Sequence, residues 1–311
     1  MTSLPALPKS FTVRGRLDLR AYVELLRYHS AKTPAFARVH YAEVIEGDIP
    51  ALERIGPRPV AEADVVEVGC GNRAGATLIL NTLGARVVGI DYDHPDPDIR
   101  FASLVRIARE NGIERAVKTF VRHVLFDRRY YRELERVVGR PLRRNGLDLR
   151  RMDACDLDFP DDTFDYVISH AVFEHIHDVP KALAEVQRVL RPDGIARIAL
   201  HLFPSLSGGH RLEWAYPDES PSATVPPWDH LRERRFPPIV YLNELRESEY
   251  LALFVQYFDV VDVQTTSEGE HLLTEELRRE LSGYGAEDLT HKDLIVLMKK
   301  PRANENDAAS P

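Results

Sequence analysis

Cysteine is scarce: the chain of 311 residues holds two, Cys70 and Cys155. Two thiols cannot build a disulfide framework, which excludes a small scaffold stapled by bridges and makes a reducing, cytoplasmic setting the expectation. Long apolar runs are missing too. No stretch approaches the roughly 20 residues of a membrane span. The start, MTSLPALPKSFTVRGRL, lacks a basic segment followed by an apolar one, so no secretory signal is expected. A cationic excess is also lacking, since the formal net charge of −8 argues against a general nucleic-acid binder. There is no internal repeat. What is present, 44% hydrophobic and 29% charged residues, suits a soluble globular chain with a sizeable core.

The overall acidity hides an asymmetry. Residues 100–152 carry 15 Arg or Lys against 6 Asp or Glu, a local balance of +9, so the remainder sums to −17. Solvated helix faces explain such a segment simply. A basic lid over an anionic substrate is the sharper reading.

Along the chain, residues 1–60 read as an N-terminal helical arm. DLRAYVELLRYH sets Leu19, Tyr22, Leu25 and Leu26 on one helical face, and prolines 50, 57 and 59 end the arm. Strands are expected at 64–69 and 86–90, with a helical insertion at 94–152 that shows apolar positions such as Phe120, Val124 and Tyr131 at helical spacing. FDYVISHAV predicts a buried strand at 164–170. DVPKALAEVQRVL predicts a helix stopped by RPDG, and IARIALHLF a fifth strand. A segment rich in Gly, Pro and aromatics, 204–240, then interrupts the alternation. A helix at LNELRESEYLALFVQYF and strands at 259–266 and 293–300 close the fold, and residues 302–311 read as a disordered tail. Alternating strands and helices predict an α/β, Rossmann-like, mostly parallel sheet of seven strands, with ligands at the carboxyl ends of the strands.

The informative stretch is VVEVGCGNRAGATLIL, residues 65–80. β-Branched residues lead into closely spaced glycines and then a helix. Glycine at such a bend permits positive φ and lets a ligand approach the backbone. Gly69, Gly71 and Ala74 fit the G-x-G-x-x-[GA] dinucleotide fingerprint, and Asp91 follows Gly71 by 20 residues. The rival ligand is S-adenosylmethionine (SAM), which carries the same adenosine half and no pyrophosphate. A carboxylate such as Glu67 at the end of the first strand suits an amine or cation and would repel phosphates.

Company decides between them. EVGCG, then VVGIDYD, then DACDLDFPDDTFDYVISHAVFEHIHDVPKALAEVQRVLRPDGIARIAL resembles, in order and spacing, the class I SAM-dependent methyltransferases. The likeness is greatest to the small-molecule branch known as methyltransferase type 11, over about residues 62–203 outside the insertion. It implies a sheet whose last strand inserts antiparallel. It also implies SAM as cofactor. Glu67, Gly69, Cys70 and Gly71 would line the methionine end, Asp91 would grip the ribose hydroxyls, and Tyr92 would lie near the adenine. Asp153 and Ala154 match the family's D-A pair at the third strand end, where the acid meets the adenine amino group. His170 would border the cofactor.

A hydroxyl acceptor must lose its proton during attack, and histidine is the usual base. His175, in FEHIHD, is the first candidate by resemblance to relatives that methylate sugar hydroxyls. His201, at the fifth strand end, and His210, beside Gly208 and Gly209, are the others. In the 204–240 segment, Trp214, Tyr216 and Trp228 offer flat faces for a sugar or ring, and Asp229 and His230 a polar cluster at a pocket mouth. A segment this long is expected to be a substrate lid. No metal site is expected: His170, His175 and His177 are spaced by five and two, which fits no familiar ligand pattern. A carboxylate-held magnesium near Asp91 and Asp93 is the nearest alternative.

The expectation is therefore a cytoplasmic SAM-dependent methyltransferase. It would act on the oxygen of a small molecule, with a sugar or glycosylated metabolite favoured and a phosphate-linked form suited to the basic insertion. No nucleic-acid partner or membrane span is expected, and a homodimer is compatible. The alternatives are an NAD-dependent oxidoreductase, which would need phosphate contacts at the helix start after Gly71, and a non-catalytic partner protein of the same fold. RNA methylation would rest on the +9 segment alone.

Overall fold

The computed structural model describes residues 32–93, 95–97, 101–215, 217–238 and 240–301. The helix expected at DLRAYVELLRYH, the 302–311 tail and Tyr216 lie outside the described residues.

Seven strands form one sheet: β1 (Asp64–Val68), β2 (Arg86–Asp91), β3 (Asp148–Arg151), β4 (Phe164–His170), β5 (Leu190–His201), β6 (Asp259–Ser267) and β7 (His291–Lys299). Their order is β3-β2-β1-β4-β5-β7-β6. Neighbours from β3 to β5 pair in parallel. β7 runs antiparallel to both β5 and β6, so it is the one reversed strand. This is the mostly parallel sheet with an antiparallel inserted strand that the sequence predicts.

Burial explains the strand sequences. β4 is buried at every position but its last, because helices cover both faces. β6, at the edge, leaves its residues exposed or half-buried and reads as a mixture of valine with Asp, Gln and Thr. β5 starts at Leu190, earlier than expected, because Leu190 pairs with Phe164 ahead of a register break. The RPDG turn therefore lies within the strand rather than after the helix. That helix, Val179–Val189, opens where the Asp178 side chain accepts the Lys181 N–H, with proline in its first turn.

One face of the sheet packs Val66, Val68 and Val167 against Leu183 and Val186 of that helix and Tyr250 and Phe254 of helix Glu247–Tyr257. Each such side chain contributes roughly 1.5–3 kcal/mol by leaving water. The other face packs Val65 and Ile168 against Leu78 and Ile79 of helix Gly75–Leu83, and against Val44 and Leu52 of the arm. The arm thus shares a core with the sheet, and the boundary expected at residue 60 separates no independent unit. The described part of the expected 94–152 helical insertion holds helices at Phe101–Asn111, Ile113–Arg122 and Arg128–Val138, but its end is not helical: residues 148–151 form β3, the edge strand beside β2. Its apolar row divides: Tyr131 is buried, whereas Phe120 and Val124 are exposed.

Candidate functional site

Strand order reverses between β1 and β4, and a cavity of about 1300 Å³ opens at the carboxyl ends of β1, β2 and β4. Its size exceeds the roughly 300–1,000 Å³ of a typical ligand pocket, which leaves room for a cofactor and a second molecule. The walls come from the glycine turn, the ends of β2 and β3, the segment after β4, and three arm residues, Thr33, Phe36 and His40.

The glycine turn is pinned to β2. Gly69 and Cys70 donate their N–H groups to the Ile90 carbonyl at 2.8 and 2.9 Å. Gly69 and Gly71 have φ of 80° and 63°, the left-handed region that favours glycine. At Gly69 a Cβ would collide with the Val172 side chain, whereas at Gly71 it would meet nothing within 4 Å, because that face opens onto the cavity. Asp91, at the end of β2, accepts the Gly71 N–H on Oδ2 and the Asp93 N–H on Oδ1, both at 2.9 Å. Burial raises its pKa while those donors oppose the rise. Each oxygen keeps a further lone pair for a ligand hydroxyl.

Glu67 stands at the end of β1 as expected, with a partner the sequence did not show. It shares a face with Val65 and reaches into the start of helix Gly75–Leu83, where its Oε2 accepts the Thr77 N–H at 2.6 Å and the Thr77 hydroxyl. Burial pushes its carboxyl up from the ordinary range. Glu67 still lines the cavity, but one oxygen serves the helix and not a ligand amine. Its position also bears on the dinucleotide reading. Its carboxylate stands at the helix start, where it would repel a pyrophosphate.

Cys70, Tyr92, Asp153 and Ala154 all line the cavity. Burial raises the Cys70 thiol far above its usual range. Asp153 Oδ1 accepts the Cys155 N–H at 2.9 Å, fixing the turn after β3, and Arg151 donates to the Tyr92 carbonyl at 3.0 Å. His170, at the end of β4, also faces the cavity, and its Nε2 lies 3.1 Å from Asp48 of the arm. Asp48 is also paired with Arg197 of β5. Burial alone would lower His170, but the carboxylates around it, Asp48 foremost with Glu43 and Glu67, hold the imidazole at about 9.

Of the three histidines considered as bases, His175 alone lines the cavity. It sits in a short 3-10 turn, Phe173–His175, and Nδ1 lies 2.8 Å from the Tyr241 carbonyl oxygen. A carbonyl only accepts, so Nδ1 carries the proton and Nε2 keeps its lone pair. Burial lowers the imidazole pKa, partly opposed by that carbonyl. His210 stands behind His175 with ring centroids 5.0 Å apart, and His201 lies 4.9 Å from His210. His201 does not face the crevice as expected, because Ser205 and Ser207 bind its Nε2 at 3.3 and 2.8 Å.

The 204–240 segment is corrected most. Trp214 and Trp228 are 4% and 0% exposed and join Leu206, Leu273, Leu281 and Leu289 in a third hydrophobic core. Trp228 Nε1 donates to the Leu289 carbonyl at 3.2 Å. Asp229 and His230 are buried as well, with His230 Nε2 bonded to the Phe203 carbonyl at 2.9 Å. These two border a void of about 10 Å³, room for about one water and no sugar. The two tryptophan faces expected to stack on substrate instead bury the segment. The basic insertion is corrected too. Arg73 bonds Asp127 at 2.7 Å, and Tyr130 packs beneath Gly75, so the insertion covers the glycine-turn side. Phe126 and Met152 are its described side chains that reach the cavity. Sequence reasoning missed Phe36 and His40, four residues apart on one helical stretch, and Tyr241, whose ring stacks on His177 at 3.6 Å.

A protein-family model described as a methyltransferase domain matches residues 130–198. Over 135 residues the chain is 30% identical to a probable S-adenosylmethionine-dependent methyltransferase of Mycolicibacterium smegmatis, covering 43% of this chain and 37% of that one. A similarly described protein of Mycobacterium tuberculosis is 27% identical over 147 residues, covering 47% and 38%. A phosphatidylethanolamine N-methyltransferase of Cereibacter sphaeroides is 28% identical over 137 residues, covering 44% and 50%. The chain thus spans half or less of the length of these curated relatives. The reversed seventh strand, the left-handed glycine turn and Asp91 at the end of β2 accompany this similarity to S-adenosylmethionine-dependent methyltransferases.

Proposed function

We propose that the protein methylates an oxygen of a small molecule held beside SAM in the large cavity, with a sugar or glycosylated metabolite as the favoured acceptor. SAM supplies an electrophilic methyl group. The chain's own residues do the rest. Gly69 to Gly71 leave the backbone uncovered for the cofactor, Asp91 accepts its ribose hydroxyls, Tyr92, Asp153 and Ala154 flank the base, and His170 borders it. The observation that carries the reading is the open face at Gly71 beside the doubly held Asp91 carboxylate.

The acceptor belongs at the other end, where His175, His177 and Tyr241 line the wall. The stacked His177–Tyr241 pair offers a flat surface of the kind that receives a sugar ring. His175 brings the histidine cluster to the wall, where the acceptor's proton must leave. Transfer itself asks mainly for alignment and exclusion of water, which a partly enclosed apolar cavity favours. Glu67 in the helix start argues against the NAD-dependent alternative.

Incubation of the protein with labelled SAM and a fractionated extract, followed by mass spectrometry, identifies the acceptor. His175→Ala is expected to lower turnover by about 10²–10⁴-fold, the usual scale of proton-transfer catalysis, with affinity for S-adenosylhomocysteine nearly unchanged. Calorimetry that finds NADH bound and S-adenosylhomocysteine not bound would end the proposal.

A further inference from the structure

Behind the cavity wall, Glu174, His175 and His210 each direct one ligand atom to a common point, with all three atoms within 4.8 Å of one another. The sequence spaces Glu174 and His210 by 36 residues, so no ligand pattern was legible there. Two of these side chains carry buried atoms with nothing to bind. Glu174 is 1% exposed. Its Oε1 accepts the His201 N–H at 3.3 Å, and its Oε2 has no hydrogen-bond partner among the described residues. His210 Nε2 is likewise buried and unpartnered. Buried polar atoms are nearly always satisfied, so two orphans side by side indicate an absent partner. One is a carboxylate oxygen and the other an imidazole nitrogen. A cation satisfies both at once.

The backbone is built to bring His210 there. Its φ is 49°, a conformation uncommon for a residue with a Cβ. The two preceding glycines let the loop fold back: a Cβ at Gly208 would strike the Phe203 carbonyl, and one at Gly209 would come within 2.8 Å of the His230 ring. The surroundings also resemble those of a metal site. His175 holds its Nδ1 proton against the Tyr241 carbonyl, the outer-shell arrangement that orients a ligating imidazole and frees Nε2. His201, locked by Ser207 and through it by Glu268, packs against the His210 ring.

We infer that Glu174, His175 and His210 form a binding site for one divalent transition-metal ion of the zinc class. Two imidazoles and a carboxylate are the donor set that leaves a fourth position open. Around one ion the donor atoms stand roughly 3–3.5 Å apart, so the side chains close slightly on loading. His175 lines the cavity, which puts the ion at the acceptor end. The inference deepens the proposed function and rests on it for the acceptor's place. A hydroxyl at the open position would lose its proton more readily than a free one, so His175 would serve as a ligand of the ion and the ion's effect on the hydroxyl would replace direct proton abstraction by the imidazole.

The test is titration of the chelator-stripped full chain with zinc by calorimetry, and with cobalt by visible absorption. One equivalent should bind, with the intense absorption of four-coordinate cobalt. Glu174→Gln, which keeps shape, and His210→Ala should each weaken binding at least 10-fold, whereas His271→Ala should not. Circular dichroism and S-adenosylhomocysteine affinity, measured on the same samples, report folding and the cofactor site. Absence of saturable binding, or equal binding by both folded variants, overturns the metal site even if S-adenosylhomocysteine binds. One equivalent bound by a chain that ignores S-adenosylhomocysteine would keep the metal site and refute the methyltransferase reading.

Discussion

Asp91 serves two purposes with one carboxylate. It fixes the glycine turn through the Gly71 and Asp93 N–H groups, and its remaining lone pairs face the cavity. Asp91→Asn keeps the shape but gives up the charge and one acceptor. Affinity for S-adenosylhomocysteine should fall about 10- to 100-fold by calorimetry, the worth of a charge-assisted hydrogen bond. Gly69, Gly71 and Asp91 were legible in the sequence because their duties are local: a bend, an open backbone, and a carboxylate one strand away. Trp214 and Trp228 were misread because what buries them, Leu273, Leu281 and Leu289, lies far along the chain. Periodicity gives no sign of that meeting. Glu67 was half legible: its place at the strand end was right, but the Thr77 hydroxyl waiting ten residues on was not foreseen.

Among the elements, the arm does more than its sequence suggested. Within it a π-helix, Ala42–Asp48, runs directly into the helix Ile49–Ile55. Its last residue, Asp48, is fully buried and pairs with both Arg197 of β5 and His170 of β4. Asp48→Ala would leave two buried cations without a counter-charge, and removal of one partner from such a cluster costs roughly 3–5 kcal/mol. Urea unfolding should show that loss, and Arg197→Ala should be less than additive with it if the cluster acts as a unit. Six of the strands were readable from their own apolar patterns, whereas β3, four residues that are half-buried or exposed, fell inside the expected helical insertion. The arm's attachment was not readable either, since one aspartate among helix-forming residues carries no periodic signal.

For the whole molecule, burial sets how stability depends on pH. Burial pushes His40 down to about 4, helped by nearby His170 and Arg73, and burial likewise lowers His230 to about 4. Groups lowered below the unfolded value of 6.5 contribute stability above that pH, and it is lost as the pH falls from 6.5 toward 4. His170, held at about 9, acts in the opposite sense: its contribution is complete below 6.5 and lost as the pH rises to 9. The urea midpoint should therefore peak near neutrality, and His40→Gln, which cannot titrate, should flatten the acid side alone. A second property follows from β7. It follows β5 and β6 along the chain, yet it occupies an inner lane between them. During synthesis β6 has no neighbour to join, and β5 waits with an unpaired edge until residue 299 has emerged. A chain cut short before residue 291 would lose its keystone rather than a margin, and would leave two raw edges inviting association with other nascent copies.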